Sequence, residues 1–272
     1  MKIIAIDSSG LVATVAIMEE NNLIAEYTIH YKKTHSQTLL PMLDEIKKMI
    51  ELDLAEIDAI AIAKGPGSFT GLRIGSATAK GLGLALNKPI IEVSTLEGLA
   101  YGMYGTSNVI CPIMDARRNQ VYTGFYEFKE EVNAKNDDCK LDMPQEEVNA
   151  KNDDCKLDMP QEEVNAKIIN YKLSSLQEEV ACDISECIEI CNLLQRPVTF
   201  LGDGVAVFKE KILAKINVPV SFAPADRNLQ SAAHIAALAL QFASSGKLIE
   251  AGEHKPTYLR LSQAERERNE RT

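Results

Sequence analysis

The sequence predicts an α/β protein long enough for one large domain or two lobes. Three observations carry this. The first hundred residues order as β-β-β-α-β-α-β-α by their apolar periodicity. One strand, Ile57–Ala63, is apolar on both faces, which suits a central strand covered by helices on either side. A second set of strands then begins near residue 107.

Each element has a local reason. "KIIAID" at Lys2–Asp7 reads as a short buried strand, and Leu11–Met18 and Leu23–Tyr31 as a hairpin turning through "EENN". The segment "HSQTLLPMLDEIKKMIE" reads as a helix. Leu39, Leu43, Ile46 and Ile50 fall on one stripe, and Pro41 belongs to its early part. In "IDAIAIA", Ile60 and Ile62 face one side, and Ala59, Ala61 and Ala63 the other. "KGPGSFTGLRIG" at Lys64–Gly75 opens a helix that ends near Asn87, followed by the strand "KPIIEVST" and the helix "TLEGLAYGMYG". In the second part "SNVICPIMDA" and "NQVYTGFYEF" read as strands joined by "ARR". A helix around Ile184–Leu194, the strand "PVTFLGDG", a helix to about Ile216 and an apolar helix over residues 231–246 follow.

Between the two sets of second-lobe elements lies a tandem repeat. "EEVNAKNDDCKLDMPQ" runs from Glu130 to Gln145, recurs unchanged from Glu146 to Gln161, and begins a third time. Residues 130–167 hold twelve acidic and five lysine residues, so they account for −7 of the net charge of −10. The body is near neutral and has no basic field with which to hold nucleic acid alone. The repeat reads as an inserted acidic surface arm. The faint echo "KLSSLQEEV" at Lys172–Val180 continues its register.

Length and composition bound the rest. The chain has 272 residues, 46% apolar. Its opening apolar run is too short for a signal peptide, and no run reaches the ~18 residues of a membrane span. A cytoplasmic protein is expected. The six cysteines, Cys111, Cys139, Cys155, Cys182, Cys187 and Cys191, include no CxxC pair, so free thiols are expected and a zinc site is not.

The glycine loop fails both common nucleotide patterns. No Gly-Lys pair falls where a P-loop needs it, and Thr70 stands where a dinucleotide fingerprint needs its third glycine. Gly65–Ser68 suits a type II turn with Pro66 at its second position, and Ser68 or Thr70 suits a helix cap. Turn, partner surface and anion site remain open as readings of the loop. Beyond it, Gly71, Gly75, Ala79 and Gly83 recur at i+4, with Ala77 and Gly81 nearby. That smooth stripe packs either on the chain's own sheet or on a second subunit.

"AIDSSGLVATVAI" resembles the first phosphate loop of the actin-like ATPase fold, and "FLGDGV" at Phe200–Val205 is a thin candidate for the second. His35 lacks a second ligand one turn on, where Leu39 stands, and reads as a cap-region residue. Asp115, Arg117 and Arg118 form either a salt-bridged turn or a contact for an anion or partner. No catalytic residue, cofactor site or metal site is assigned.

Together "IIAIDSSG", "HSQTLLP", "AKGPGSFTGLRIGSATAKGLGLAL", "MDARRNQVY", "FLGDG" and "KPTYLRLSQAERE" resemble the TsaB (YeaZ) family, from residue 3 to about 267. The resemblance implies a two-lobed actin-like ATPase (ASKHA) fold, with mixed sheets flanked by helices. The first lobe would cover residues 1–105, the second 106–230 with the repeat, and residues 231–272 would pack back as a helix and tail. It implies no catalysis by this chain, but a supporting role in installing threonylcarbamoyladenosine beside the tRNA anticodon. The implied partners are the paralogue TsaD, which carries the metal and transferase site, the ATPase TsaE in a ternary complex, and a self-dimer in their absence. tRNA would be met only through the complex. Pairing through the first two helices would use Leu39, Leu43, Ile46, Gly71, Ile74, Gly75, Thr78 and Leu82. On that reading Gly75→Leu or Leu43→Asp leaves the monomer folded and abolishes pairing. A small-molecule kinase of the same fold and a metallopeptidase-like paralogue are the alternatives.

Overall fold

The computed structural model describes residues 1–31, 35–132 and 169–260. Its elements are β1 (Lys2–Asp7), β2 (Ala13–Glu19), β3 (Asn22–Ile29), α1 (Leu39–Met49), β4 (Ala59–Ala63), α2 (Phe69–Leu86), β5 (Ile90–Val93) and α3 (Thr95–Tyr101). Then follow β6 (Val109–Asp115), β7 (Gln120–Val132), β8 (Ile169–Asp183), α4 (Ile184–Leu194), β9 (Val198–Leu201), α5 (Gly204–Lys215), β10 (Val220–Phe222) and α6 (Ala232–Ser244). The first eight reproduce the expected order.

The two sheets repeat one topology. The first orders β3-β2-β1-β4-β5, with antiparallel pairing through β1, β2 and β3 and parallel pairing of β1 with β4 and β4 with β5. The second orders β10-β9-β6-β7-β8, again antiparallel from β6 to β7 and parallel from β6 to β9 and β9 to β10. Each is thus a hairpin edge continued by parallel strands that need helical crossovers. This duplicated mixed sheet is the two-lobed actin-like arrangement that the sequence implied.

Alternation along the strands sorts the core. Ile4, Ile6, Ile60 and Ile62 face α1 and α2, together with Leu39, Met42, Leu43 and Ile46. Ile3, Ala5, Ala59, Ala61, Ile91 and Val93 face α6, whose Ala232, Ile235, Ala236 and Ala239 let it lie close to the sheet. On the second sheet, α4 and α5 bury Ile184, Ile188, Phe208 and Ile212 against Val109, Ile113, Phe125 and Phe200. Leu96, Leu99 and Ala100 of α3 meet the opposite face at Ile110, Met114, Tyr126 and Leu201.

Two compact units result, one of Met1–Phe128 with Leu173–Thr272, the other of Lys129–Lys172. The described part of the second unit is the outer end of β7 and β8, where Lys172 lies 3.4 Å from Glu131. The repeat copies beyond Val132, and the charged tail, lie outside the described residues.

Three expectations are corrected. "KLSSLQEEV", for which no strand was expected, belongs to β8, a long strand beside β7. β10 pairs with β9 where no strand was expected. The glycine loop is not a type II turn: Gly65 carries the left-handed backbone (φ 115°), the Gly65–Pro66 bond is cis, and Gly67 has no positive φ. A Cβ on Gly65 would overlap the Thr257 carbonyl, so the incoming C-terminal segment leaves room only for glycine there.

Candidate interlobe cleft and docking helices

The cleft between the sheets is small, about 330 Å³, and is lined by Ser9, Gly67, Phe69, Asp115, Arg117 and Asp203 among others. Its floor is the turn after β1. Asp7 accepts a hydrogen bond from the Ser9 amide (2.8 Å), and burial pushes its carboxyl up to about 6. Ser8 Oγ donates to the Gly71 carbonyl (2.9 Å), and His35 Nε2 donates to the Gly10 carbonyl (2.9 Å). His35 is therefore a tie between the turn and the start of α1, as a cap-region residue should be.

The glycine loop closes down on this turn. The Ser68 amide donates to the Ser9 carbonyl at 2.6 Å, and a Cβ on Gly67 or Gly71 would overlap the Ser9 or Ser8 carbonyl. Ser68 caps α2 by accepting from the Gly71 amide at 3.3 Å. A phosphate cradle needs amides that point at the ligand with no other partner. Here the Ser9, Ser68 and Gly71 amides are all engaged within the chain. On the opposite wall Gly202 is left-handed (φ 101°), but its amide donates to the Asn228 carbonyl (2.8 Å). Asp203 accepts from the Asp115 amide (3.1 Å), and burial followed by the neighbouring Asp115 charge pushes its carboxyl up. Arg117 pairs with Asp115 at 3.2 Å across a turn in which Arg117, Arg118 and Asn119 all have positive φ. This is the salt-bridged turn reading of that motif.

Helices α1 and α2 sort their faces differently from the expectation. Leu39, Leu43 and Ile46 are sealed in the first sheet's core. Gly71 and Gly75 lie against Ser8, and Gly75 has no room for a Cβ beside Ser8 Oγ. Ile74, Thr78 and Leu82 reach the surface in part. The reason is the helical period: the Gly71–Gly75–Ala79–Gly83 stripe faces the sheet, so the neighbouring stripe faces out. That outward stripe runs through Ala77, Gly81 and Leu84; Leu84 is 66% exposed and nothing lies within 4 Å of a Cβ built on Gly81. On α1 the exposed apolar side chains are Leu40 and Met49. At the head of α2, Tyr258 stacks on Phe69 (4.6 Å) and the Arg73 guanidinium lies 4.1 Å from the same ring, so the open portion is the C-terminal half. Ala77 and Gly81 were legible in the sequence as small residues i, i+4 apart; what it lacked was the choice of face.

The model of the family "TsaD: tRNA N6-adenosine threonylcarbamoyltransferase" matches residues 22–268. The chain belongs to this family. Among its relatives, the tRNA threonylcarbamoyladenosine biosynthesis protein TsaB of Bacillus subtilis (strain 168) is 43% identical over 129 residues, 47% of this chain and 56% of that protein. TsaB of Escherichia coli (strain K12) is 38% identical over 133 residues, 48% of this chain and 57% of that protein. The matches thus span a little over half the length of these curated relatives. YeaZ from Pseudomonas aeruginosa shares the fold, with a TM-score of 0.65 and 22% identity over 95% of this chain and 100% of that one. The TsaB (YeaZ) resemblance carried by the motifs stands. No helix among the described residues is long and apolar enough to cross a membrane.

Proposed function

We propose that this chain is a non-catalytic partner subunit in threonylcarbamoyladenosine formation. It docks through the outer face of α1 and α2 onto a paralogue of the TsaD kind, which carries the metal and performs the transfer. The transfer modifies the adenosine beside the anticodon of tRNAs that read codons beginning with A, in the cytoplasm. A TsaE-type ATPase joins as third component, and the same helices serve a self-dimer when the paralogue is absent.

The observation that carries this reading is the uncovered stripe Ala77–Gly81–Leu84. Small residues let a second helix approach within roughly 8 Å of axis separation, and among the described residues nothing lies within 4 Å of a Cβ built on Gly81. The engaged amides of the cleft support the non-catalytic half of the reading, because a kinase of this fold needs free ones. The names of the curated relatives support the pathway.

Co-expression with a tagged TsaD-type paralogue tests it. The expected result is a stoichiometric complex, with the isolated chain inert towards threonylcarbamoyl-AMP, tRNA and ATP. Turnover of any of these by the isolated chain, or failure to co-purify, overturns the proposal.

A further inference from the structure

Three thiols meet in the second sheet's core, away from both the cleft and the docking helices. Cys111 comes from β6, and Cys187 and Cys191 lie one turn apart on α4; all are fully buried. Their sulfurs all lie within 4.8 Å of one another, and Cys111 Sγ is 3.6 Å from Cys187 Sγ. The buried Thr123 hydroxyl of β7 lies 3.4 Å from Cys111 Sγ and 3.8 Å from Cys187 Sγ.

The Cys111–Cys187 separation and the two Thr123 distances are close to those of a coordination shell, and the Cys191 sulfur lies within 4.8 Å of the other two. Sulfurs bound at ~2.3 Å in tetrahedral geometry stand ~3.8 Å apart, and an oxygen bound at ~2.0 Å stands ~3.5 Å from each of them. We propose that Cys111, Cys187 and Cys191, with the Thr123 hydroxyl at the fourth position, form a structural site for a thiophilic d¹⁰ divalent cation of the zinc class, pinning α4 to β6 and β7. Soft thiolates select such ions over magnesium or calcium. Burial on every side leaves no open position for substrate, which makes the site structural and not catalytic.

Binding releases three protons: three thiols and one dication give a tris-thiolate complex of net charge −1, with the hydroxyl remaining neutral. No redox step is involved. A Cys111–Cys187 disulfide is the competing fate; it needs an oxidant and leaves Cys191 without a role.

The test uses the reduced full chain, refolded with Co(II) and separately titrated with Cd(II). One equivalent of Co(II) should give the near-ultraviolet sulfur-to-cobalt charge-transfer band, and X-ray absorption should count three sulfur neighbours. Cys187→Ala should abolish the band and weaken cadmium binding about tenfold or more. The double variant Cys139→Ser, Cys155→Ser, which alters only cysteines in the repeat, should keep both. A band that survives Cys187→Ala, an oxygen-only shell, no uptake at all, or an intact mass lower by two hydrogens overturns the proposal. Should Cys187→Ala fail to fold, the sulfur count on the wild-type chain decides the matter.

Discussion

Gly81 offers a perturbation whose two effects have opposite signs. It lies inside α2, and nothing stands within 4 Å of the position its Cβ would take. Glycine in a helix interior costs about 1 kcal/mol relative to alanine, because more backbone freedom is lost on folding. Leucine has nearly alanine's helix propensity, and its Cβ would meet no described neighbour within 4 Å. Gly81→Ala and Gly81→Leu should therefore each stabilise the free chain by up to about 1 kcal/mol, raising its melting temperature by roughly 2–4 °C for a body of this size. On the proposed docking surface the leucine would stand where the partner helix passes. Overpacking at a close helix contact costs about 1–3 kcal/mol, or roughly a tenfold to hundredfold loss of affinity. Thermal melts followed by circular dichroism measure the first effect, and titration against the purified paralogue measures the second. Pairing of Gly81→Leu at wild-type affinity would refute the assignment of the docking stripe. A lowered melting temperature would refute the claim that the position is open.

Other substitutions separate core from surface. Gly75→Leu and Leu43→Asp should fail as interface probes, because the first collides with Ser8 and the second places a carboxylate in the first sheet's core. Losses of about 3 kcal/mol or more should show as aggregation or a melting temperature lowered by several degrees, before any question of pairing. Asp7→Asn should be more stable than wild type at neutral pH. Burial raises the folded carboxyl to about 6 from its ordinary 3.8, so wild type binds its proton more tightly when folded. Its stability is therefore full below about pH 4 and declines as pH rises through 6, by about 3 kcal/mol in the limit. The variant's advantage in urea midpoint should grow over that window and vanish below it. Glu92 accepts from His254 Nδ1 at 2.7 Å, and that bond, foremost among its causes, lowers its carboxyl pKa. The stability it contributes is present above its unfolded value and is lost as pH falls through the folded one. Glu92→Gln should speed amide exchange at Thr257, which donates to Lys64 at 2.7 Å, while leaving β1 protected.

Most of the framework was legible because strong periodicity has few alternatives. The Ile and Ala faces of β4 sort to opposite cores as their alternation requires. α4 begins and ends where its apolar pattern does, Ser68 caps α2 as one of the two residues expected to, and the helix ends at Asn87 as expected. β8 was lost because its residues Lys172–Val180 share a register and several letters with the repeat; chemical likeness to a polar arm outweighed a weak alternation. The packing of the α2 glycine stripe was half legible. A glycine stripe says that something approaches closely, but not whether it is Ser8 of the same chain or a helix of another. The thiol cluster escaped because Cys111 is brought to α4 by sheet packing across 76 residues, and only the Cys187–Cys191 spacing of one helical turn was visible locally.

α6 covers one face of the first sheet, yet it is encoded 130 residues after α3 ends at Tyr101. A ribosome adding about 5–20 residues per second needs roughly 7–26 s to cross that gap. For all of that time Ile3, Ala5, Ile91 and Val93 lack their lid. The nascent first lobe must therefore wait, greasy side outward, for a late-arriving helix. That interval is when a chaperone, or a neighbouring half-made copy, has its best opportunity to bind.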